Sequence, residues 1–362
     1  MRVRGILALG AMVCALSAVA GHAAAAPVYS YTDLWDFGGS NAFGINSAGQ
    51  VVGDARPDEN YRRAVLFGGG SVTDLGVLPG GTHSWGTAIS ASGAVVGYST
   101  SETGDRAFIY DAGVMTSLGT LGGGQSFGYG INDAGQAVGH SSIAPGGAFH
   151  AFLYSGGSMA DLGTLGGAFS EAYDINGAGQ VVGRSARADG TVHAFVYDGG
   201  VMSDLGTLGG AYSYAYGINA LGQVVGASET ADGSQHAFLY SDGVMTDLGT
   251  LGGAYSFAAD INNLGQIVGV SSTAGGDLRA FLYGEGTMYN IGGLGGTSMA
   301  FGINDAGYVV GTSALGDGGD SHAFLAIPQD GAVPEPSTWA LMLIGFGGAG
   351  AALRNRRRRL AV

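Results

Sequence analysis

The sequence has no lysine, one cysteine and seven prolines in 362 residues, and only 12% of it is charged. The cysteine, Cys14, stands in an apolar leader, so the body of the chain cannot be a disulfide scaffold and needs a large core instead. The 14 basic residues are all arginine, and half of them lie at the two ends: Arg2, Arg4, Arg354 and Arg356 to Arg359. Between Pro27 and Val333, 7 arginines face 27 acids, a net of −20. Such a body repels phosphate backbones, which argues against nucleic acid as a partner. Also missing are a nucleophile elbow followed by a plausible His and acid, zinc-ligand spacing, a phosphate loop and an EF-hand. Glycine is what abounds: 72 residues, against the ~7% of an average chain. With 46% hydrophobic residues, 15 Phe and 17 Tyr, that excess means turns and not disorder, because disordered chains lack the apolar surface to offset ordering entropy. The composition predicts a folded, turn-rich, all-β protein.

The two ends read as addresses. Residues 1–26 run from a basic "MRVRG" through an apolar stretch to "HAAAA", the order of a secretory signal peptide cut near Ala24 to Ala26. At the other end the apolar run from Trp339 to Leu353 has 15 residues, about 22 Å as a helix at ~1.5 Å per residue. That is short for a membrane span of ~20 residues. The arginines that follow would hold its end in the cytoplasm. The order Val333-Pro334-Glu335-Pro336, short helix, arginines resembles the PEP-CTERM sorting signal of Gram-negative bacteria, also catalogued as the C-terminal segment of some ice-binding proteins. The resemblance implies export by the Sec machinery, transient anchoring in the inner membrane, processing by an exosortase, and delivery to the cell surface or extracellular matrix. It implies no ice binding.

Between the ends one phrase recurs: "HAFLYSGGSMADLGTLGG" at His150, "HAFVYDGGVMSDLGTLGG" at His193, "HAFLYSDGVMTDLGTLGG" at His236. A second marker, "INxxGQVVG", gives a cleaner count. Its Asn stands at Asn46, Asn132, Asn176, Asn219, Asn262 and Asn304, with Ser90 in the remaining place, at spacings of 44, 42, 44, 43, 43 and 42. Periods of ~40–45 residues are those of propeller blades. Each unit holds four strand-like runs; in the sixth they are "SFAADIN", "GQIVGVSS", "RAFLYG" and "TMYNIG". The runs are apolar on both faces, as expected of a sheet packed between two neighbours. The last unit stops at "HAFLA", one strand short, while the body opens on an orphan strand, "YSYTDLWD", Tyr29 to Asp36. The expectation is a seven-bladed β-propeller of four-stranded blades over residues 27–326, closed by the N-terminal strand, then a linker (327–332) and the sorting segment (333–359) with its short transmembrane helix. A β-solenoid would have no use for that arrangement of ends.

The repeated phrase resembles the HAF-type extracellular repeat of bacterial secreted proteins, although "RRAVLF" and "DRAFIY" depart from it in the first two units. The resemblance implies location and fold but no chemistry. The repeated residues themselves read as structural. The His of the phrase (His150, His193, His236, His322) gives way to Arg63, Arg106 and Arg279, which could replace a hydrogen-bond donor but not a metal ligand. The Asp of "DLG" gives way to Ser117 and Asn290, which still accept a local backbone bond. Seven equivalent serines, from Ser40 to Ser298, lie six residues before each marker and read as one hydrogen-bonding solution used seven times.

No polar cluster in the linear sequence is singular, so the expected role is non-enzymatic: a monomeric surface or matrix protein that binds exopolysaccharide or another surface protein, without a cofactor. The alternative is a glycan-cleaving propeller with its acids on one loop face. Binding is expected on the loops joining second and third strands, because these vary among copied units. They carry Asp54, Asp58, Glu59, Glu102, Asp105, Asp189, Glu229, Asp232, Asp277, Asp317 and Asp320. Such a rim favours cations, cationic partners or neutral sugars, with weak calcium binding open at Asp317 and Asp320; acids that merely keep the protein soluble are the other reading.

Overall fold

The computed structural model describes residues 26–35, 39–58, 60–316 and 320–329. The leader up to residue 25, the sorting segment and its expected helix lie outside them. Among the described residues there are 28 strands, β1 (Tyr29–Asp33) to β28 (Ser321–Pro328), and no helix.

Each unit folds as a four-stranded antiparallel meander, and the cause is local. The marker Asn builds the first turn: Asn46 Oδ1 accepts the N–H of Ala48 (3.1 Å) and of Gln50 (3.0 Å), and Gly49 supplies the left-handed residue at φ +77°. The glycine of the second strand has a separate reason. A Cβ on Gly183 would lie 1.9 Å from the carbonyl oxygen of Glu171 on the first strand, and the equivalent glycines meet the same obstacle. In every unit the first strand then carries a bulge, between Ala172 and Asp174 in the fourth. An extra residue there bends the strand and re-aims the side chains beyond it.

The orphan strand does what its sequence suggests. β1 pairs antiparallel with β28, in register from Tyr29 opposite Pro328 to Asp33 opposite Phe324, and completes the last sheet in the order β1-β28-β27-β26, with β27 at Val309–Ala314 and β26 at Ser298–Ile303. Parallel bridges join the fourth, fifth and sixth units into one twelve-stranded sheet, and no sheet closes on itself.

The units cohere through separate cores between neighbours. Between the third and fourth, Val138 and Ala151 meet Ala172, Ile175, Val181 and Phe195. The phenylalanine of the repeated phrase is fully buried at Phe108, Phe152, Phe195, Phe238, Phe281 and Phe324, each burial contributing about 2–3 kcal/mol. Seven units in an open row would have six such cores. A seventh joins Val310 and Ala323 of the last unit to Ala42, Val51 and Phe67 of the first.

Two hydrogen-bonded latches repeat across the same seams. The seven serines accept the N–H of an alanine in the preceding unit, as Ser170 does from Ala151 (2.8 Å), and Ser40 takes that of Ala323 (2.9 Å). The marker amides donate to the marker carbonyl of the next unit, Asn132 to Asn176 (3.1 Å) and finally Asn304 to Asn46 (3.1 Å). The His and Asp of the phrase pair across the third and fourth strands: His150 Nδ1 donates to Asp161 (2.8 Å), which also accepts the N–H of Gly163 (2.7 Å). At the closure His322 reaches Asp33 (2.7 Å). These residues are structural, as their substitution pattern predicts.

Candidate functional site: an aromatic cavity at the centre

Aligned on the seven serines, the first strands fall into two kinds of position. The second residue after the serine is Ala or Gly and faces the cores. The first, third and fourth residues line the interior instead, and it is there that the copied units differ. Together they wall a cavity of about 550 Å³. Its third-position residues are Phe43, Thr87, Tyr129, Tyr173, Tyr216, Ala259 and Phe301. Trp85 and Phe257 add first-position rings, and Tyr98 enters from a second strand. The rings touch in sequence: Trp85 stacks on Tyr98 at 4.7 Å, Tyr129 meets Tyr173 at 5.5 Å, Tyr173 meets Tyr216 at 5.3 Å, and Tyr216 meets Phe257 at 5.8 Å. Below them the isoleucines before each marker form a belt, beyond which a second, polar hollow of about 370 Å³ opens among the marker turns.

Beside Tyr173 of the wall lies a polar cluster that occurs once. In the fourth unit β14 (Gly166–Ile175) places Glu171 opposite Arg184 of β15 (Val181–Arg187). The guanidinium grips the carboxylate with two 2.9 Å bonds, and Tyr173 donates its hydroxyl to the same carboxylate. Burial pushes Glu171 up, and the bonds from Arg184 and Tyr173 outweigh it, leaving the carboxyl below its ordinary range. His140, at the equivalent place in the third unit, sits among Phe127, Tyr129 and Phe149, and its Nδ1 has no partner among the described residues. Burial lowers it to about 4, so it is neutral. The singular cluster missing from the linear sequence is thus assembled by the fold.

The floor holds two carboxylates. At the fourth position, where the first strands come closest, a Cβ on Gly130 would lie 2.9 Å from the Cα of Asp174 and one on Gly217 would lie 3.1 Å from that of Asp260. Four units have glycine there and one has Ala88; the other two have Asp174 and Asp260. Asp174 accepts the N–H of Ile175 (2.8 Å) and, across the seam, of Ile218 (2.9 Å); Asp260 accepts those of Ile261 (2.7 Å) and Ile303 (2.9 Å). Burial and then the charge of Asp260 push Asp174 up to about 7; burial pushes Asp260 up to about 6, with Asp305 adding to it. Both side chains are half-buried, closed in by protein but open to the cavity.

The loop acids fare differently. Asp54 is not on a loop: it is fully buried in β3 (Val51–Asp58), where Asn41 (3.3 Å) and Arg62 bind it, and burial raises its carboxyl. Glu229 likewise lies in β19 (Val224–Thr230), accepting the N–H of Ala211 at 2.7 Å. The sequence placed both beyond their strands because the second strands run longer than "GQVVG". Asp189 and Asp232 are exposed but bond within their own turns, to Thr191 and Ser234. Asp105 receives Gln125 (3.1 Å), Asp277 pairs with Arg279 (3.3 Å), and Glu102 and Asp320 are exposed. The side chain of Asp58, and Glu59 and Asp317, lie outside the described residues. No group of three potential metal ligands occurs among the described residues. The first position after the serine lies at the loop end of its strand, so Trp85 and Phe257 stand towards the face expected for binding.

Comparison with known proteins addresses the tail and the fold separately. Residues 332–358 match the PEP-CTERM protein-sorting motif, which includes the Val333–Pro336 sequence and marks an exported, exosortase-sorted protein that is anchored at the membrane and then sorted to the surface. None of the curated proteins matches the chain. Among solved structures, the chain is similar to an acylaminoacyl peptidase of Pyrococcus horikoshii (13% identity, 82% of this chain and 51% of that one, TM-score 0.51). It is similar also to a puromycin-hydrolyzing peptidase of Mycobacterium tuberculosis (13% identity, 82% and 53%, TM-score 0.55). The chain spans about half the length of either, so the likeness concerns the fold alone. What these comparisons support is an exported protein with an all-β, propeller-like body.

Proposed function

We propose that this is a seven-bladed HAF-type propeller, delivered as a monomer to the surface or matrix of a Gram-negative cell, which binds exopolysaccharide in its central cavity without cleaving it. The observation that carries this reading is variation inside otherwise copied strands. Units that repeat their cores, turns and latches differ at the positions facing one cavity, and there they are mostly aromatic. Aromatic faces stack on the C–H faces of sugar rings, and the hydroxyls of Tyr98, Tyr129 and Tyr216, which find no hydrogen-bond partner among the described residues, are free to reach sugar hydroxyls. Burial raises Tyr98 and Tyr216 to about 12, so they stay neutral donors. A cavity of about 550 Å³ accommodates one or two sugar residues. The glycan-cleaving alternative draws on Asp174 and Asp260, acids poised near neutrality over the same space. A glycan array, with a parallel assay for released reducing ends, tests both. Binding that falls tenfold or more in Trp85→Ala and Tyr216→Ala with no release supports the proposal; release abolished by Asp174→Asn supports the alternative; no glycan bound refutes both.

A further inference from the structure

We infer that the cavity is built for a sugar bearing a cationic nitrogen, amine or quaternary ammonium, seated over Asp174 and Asp260 inside the aromatic wall. The inference rests on the glycan reading and narrows its ligand class.

Three observations converge. First, one ring of the wall, Tyr173, already attracts a cation. The Arg184 guanidinium lies over the rings of Phe169, Tyr173 and Tyr214 at 5.9, 5.9 and 5.3 Å. Tyr216 and Phe257 continue the row of rings along the cavity, and neither carries a cation among the described residues. A ring face attracts positive charge through its quadrupole, and a desolvated cage of rings does so most strongly.

Second, the floor is anionic and uncompensated. Arg184 is committed to Glu171, and His140 is neutral. The tyrosines around the cavity are neutral as well, and Asp305 below the isoleucine belt adds negative charge. An anionic sugar would be repelled, and a neutral one would leave both carboxylates of the cavity without a counter-charge.

Third, the fold does not require these acids. Five sibling units close the same seam with glycine or alanine. Burial holds both carboxyls above their ordinary value, with the charge of Asp260 adding at Asp174 and that of Asp305 at Asp260, so each works against folding when ionised. Acids kept at such a cost mark a functional site, and a cation beside them offsets the cost of ionising them.

The test is calorimetric titration of the full chain with a β-1,4-linked dimer of N,N,N-trimethylglucosamine, whose charge does not depend on pH, against the N-acetylglucosamine dimer and tetramethylammonium. At pH 8 the trimethylated dimer is expected to bind about tenfold or more tightly than the acetylated one. That advantage should vanish at pH 5, where both carboxyls hold protons, and in Asp174→Asn/Asp260→Asn. Should that variant fail to fold, Asp174→Gly, the residue of four sibling units, takes its place. Equal or tighter binding of the acetylated dimer overturns the inference and leaves the glycan reading intact. Tetramethylammonium binding as tightly as the dimer overturns the glycan reading and keeps the cation site. If none of the three binds, both fall.

Discussion

Asp174 and Asp260 should make the protein lose stability as the solution turns neutral, and the loss can be sized. Asp174 is held near 7 and Asp260 near 6, against an ordinary 3.8, with burial the first cause in both. Each bonds its protons more tightly folded than unfolded, so its contribution is full below pH 4 and is withdrawn as pH rises through 6 and 7. At about 1.4 kcal/mol per tenfold change in proton affinity, ionising the pair in a closed interior would cost about 7 kcal/mol. Both side chains open onto the cavity, where solvent screens about half of this and leaves about 3 kcal/mol. For a body of ~300 residues, with an unfolding entropy of ~2.1 cal/mol/K each, that is a fall of about 5 °C in Tm between pH 4.5 and pH 8 beyond what the other groups produce. In Asp174→Asn/Asp260→Asn this component is absent. Each Asn, however, turns an amide N–H towards one of the two backbone donors its carboxylate accepted, costing about 1 kcal/mol per site at any pH. The two Tm curves therefore cross: the variant melts lower at pH 4.5 and higher at pH 8. Differential scanning calorimetry across that range reads it directly. Parallel curves, offset at every pH by the same amount, would show that the floor carboxyls titrate like exposed ones, and the account of the cavity would fail with them.

Other outcomes follow from the same structure. Deleting residues 27–37 removes β1, its pairing with β28 and the Asp33–His322 bond, and exposes an edge; the protein should melt at least 5 °C lower and aggregate, as light scattering would show. Ser40→Ala leaves the buried N–H of Ala323 without its partner at the seam between last and first units, and should cost about 1–3 kcal/mol in urea unfolding. Neutralising Asp189, Asp232 and Asp277 should leave glycan affinity within twofold, because these acids serve their own turns, whereas Tyr173→Ala should weaken it about tenfold. Intact mass of protein recovered from the cell surface should lack the arginine cluster that follows the matched motif.

The fold was legible because its logic is periodic. Phe195 and its counterparts, the serine latch and the marker Asn repeat at the spacing of the units, so the number of four-stranded units and the role of the orphan strand follow from counting. The cavity was not legible, for a physical reason. Loops are where variation is expected, and the loops do vary, but the differences that line the cavity lie inside strands, chiefly three and four residues after each serine. A bulge falls at that point of the strand, and nothing in a local pattern announces its direction. Glu171 and Arg184 look unrelated in sequence until the register sets them side by side. Asp174 and Asp260 come from units two apart and share a cavity only because the row of units curves round a common centre. The signal was present all the same. Reading the seven first strands as columns shows Phe, Thr, Tyr, Tyr, Tyr, Ala and Phe in one place and two isolated acids in the next.

The pairing of β1 with β28 has a bearing on orientation during delivery. Tyr29 lies opposite Pro328, and the N–H of Gln329 binds the carbonyl of Val28 at 2.9 Å, so the chain enters and leaves the body at one point. Those two ends stand where every other unit has its third turn, on the side of the marker turns and away from the mouth of the aromatic cavity. The matched sorting motif starts at residue 332, three residues after Gln329, which span at most about 10 Å. The described chain therefore begins and ends side by side, at the face of the marker turns. The final seam joins the first unit to the last, so the cavity that Phe43 and Phe301 help to wall is complete only when the whole body is in place.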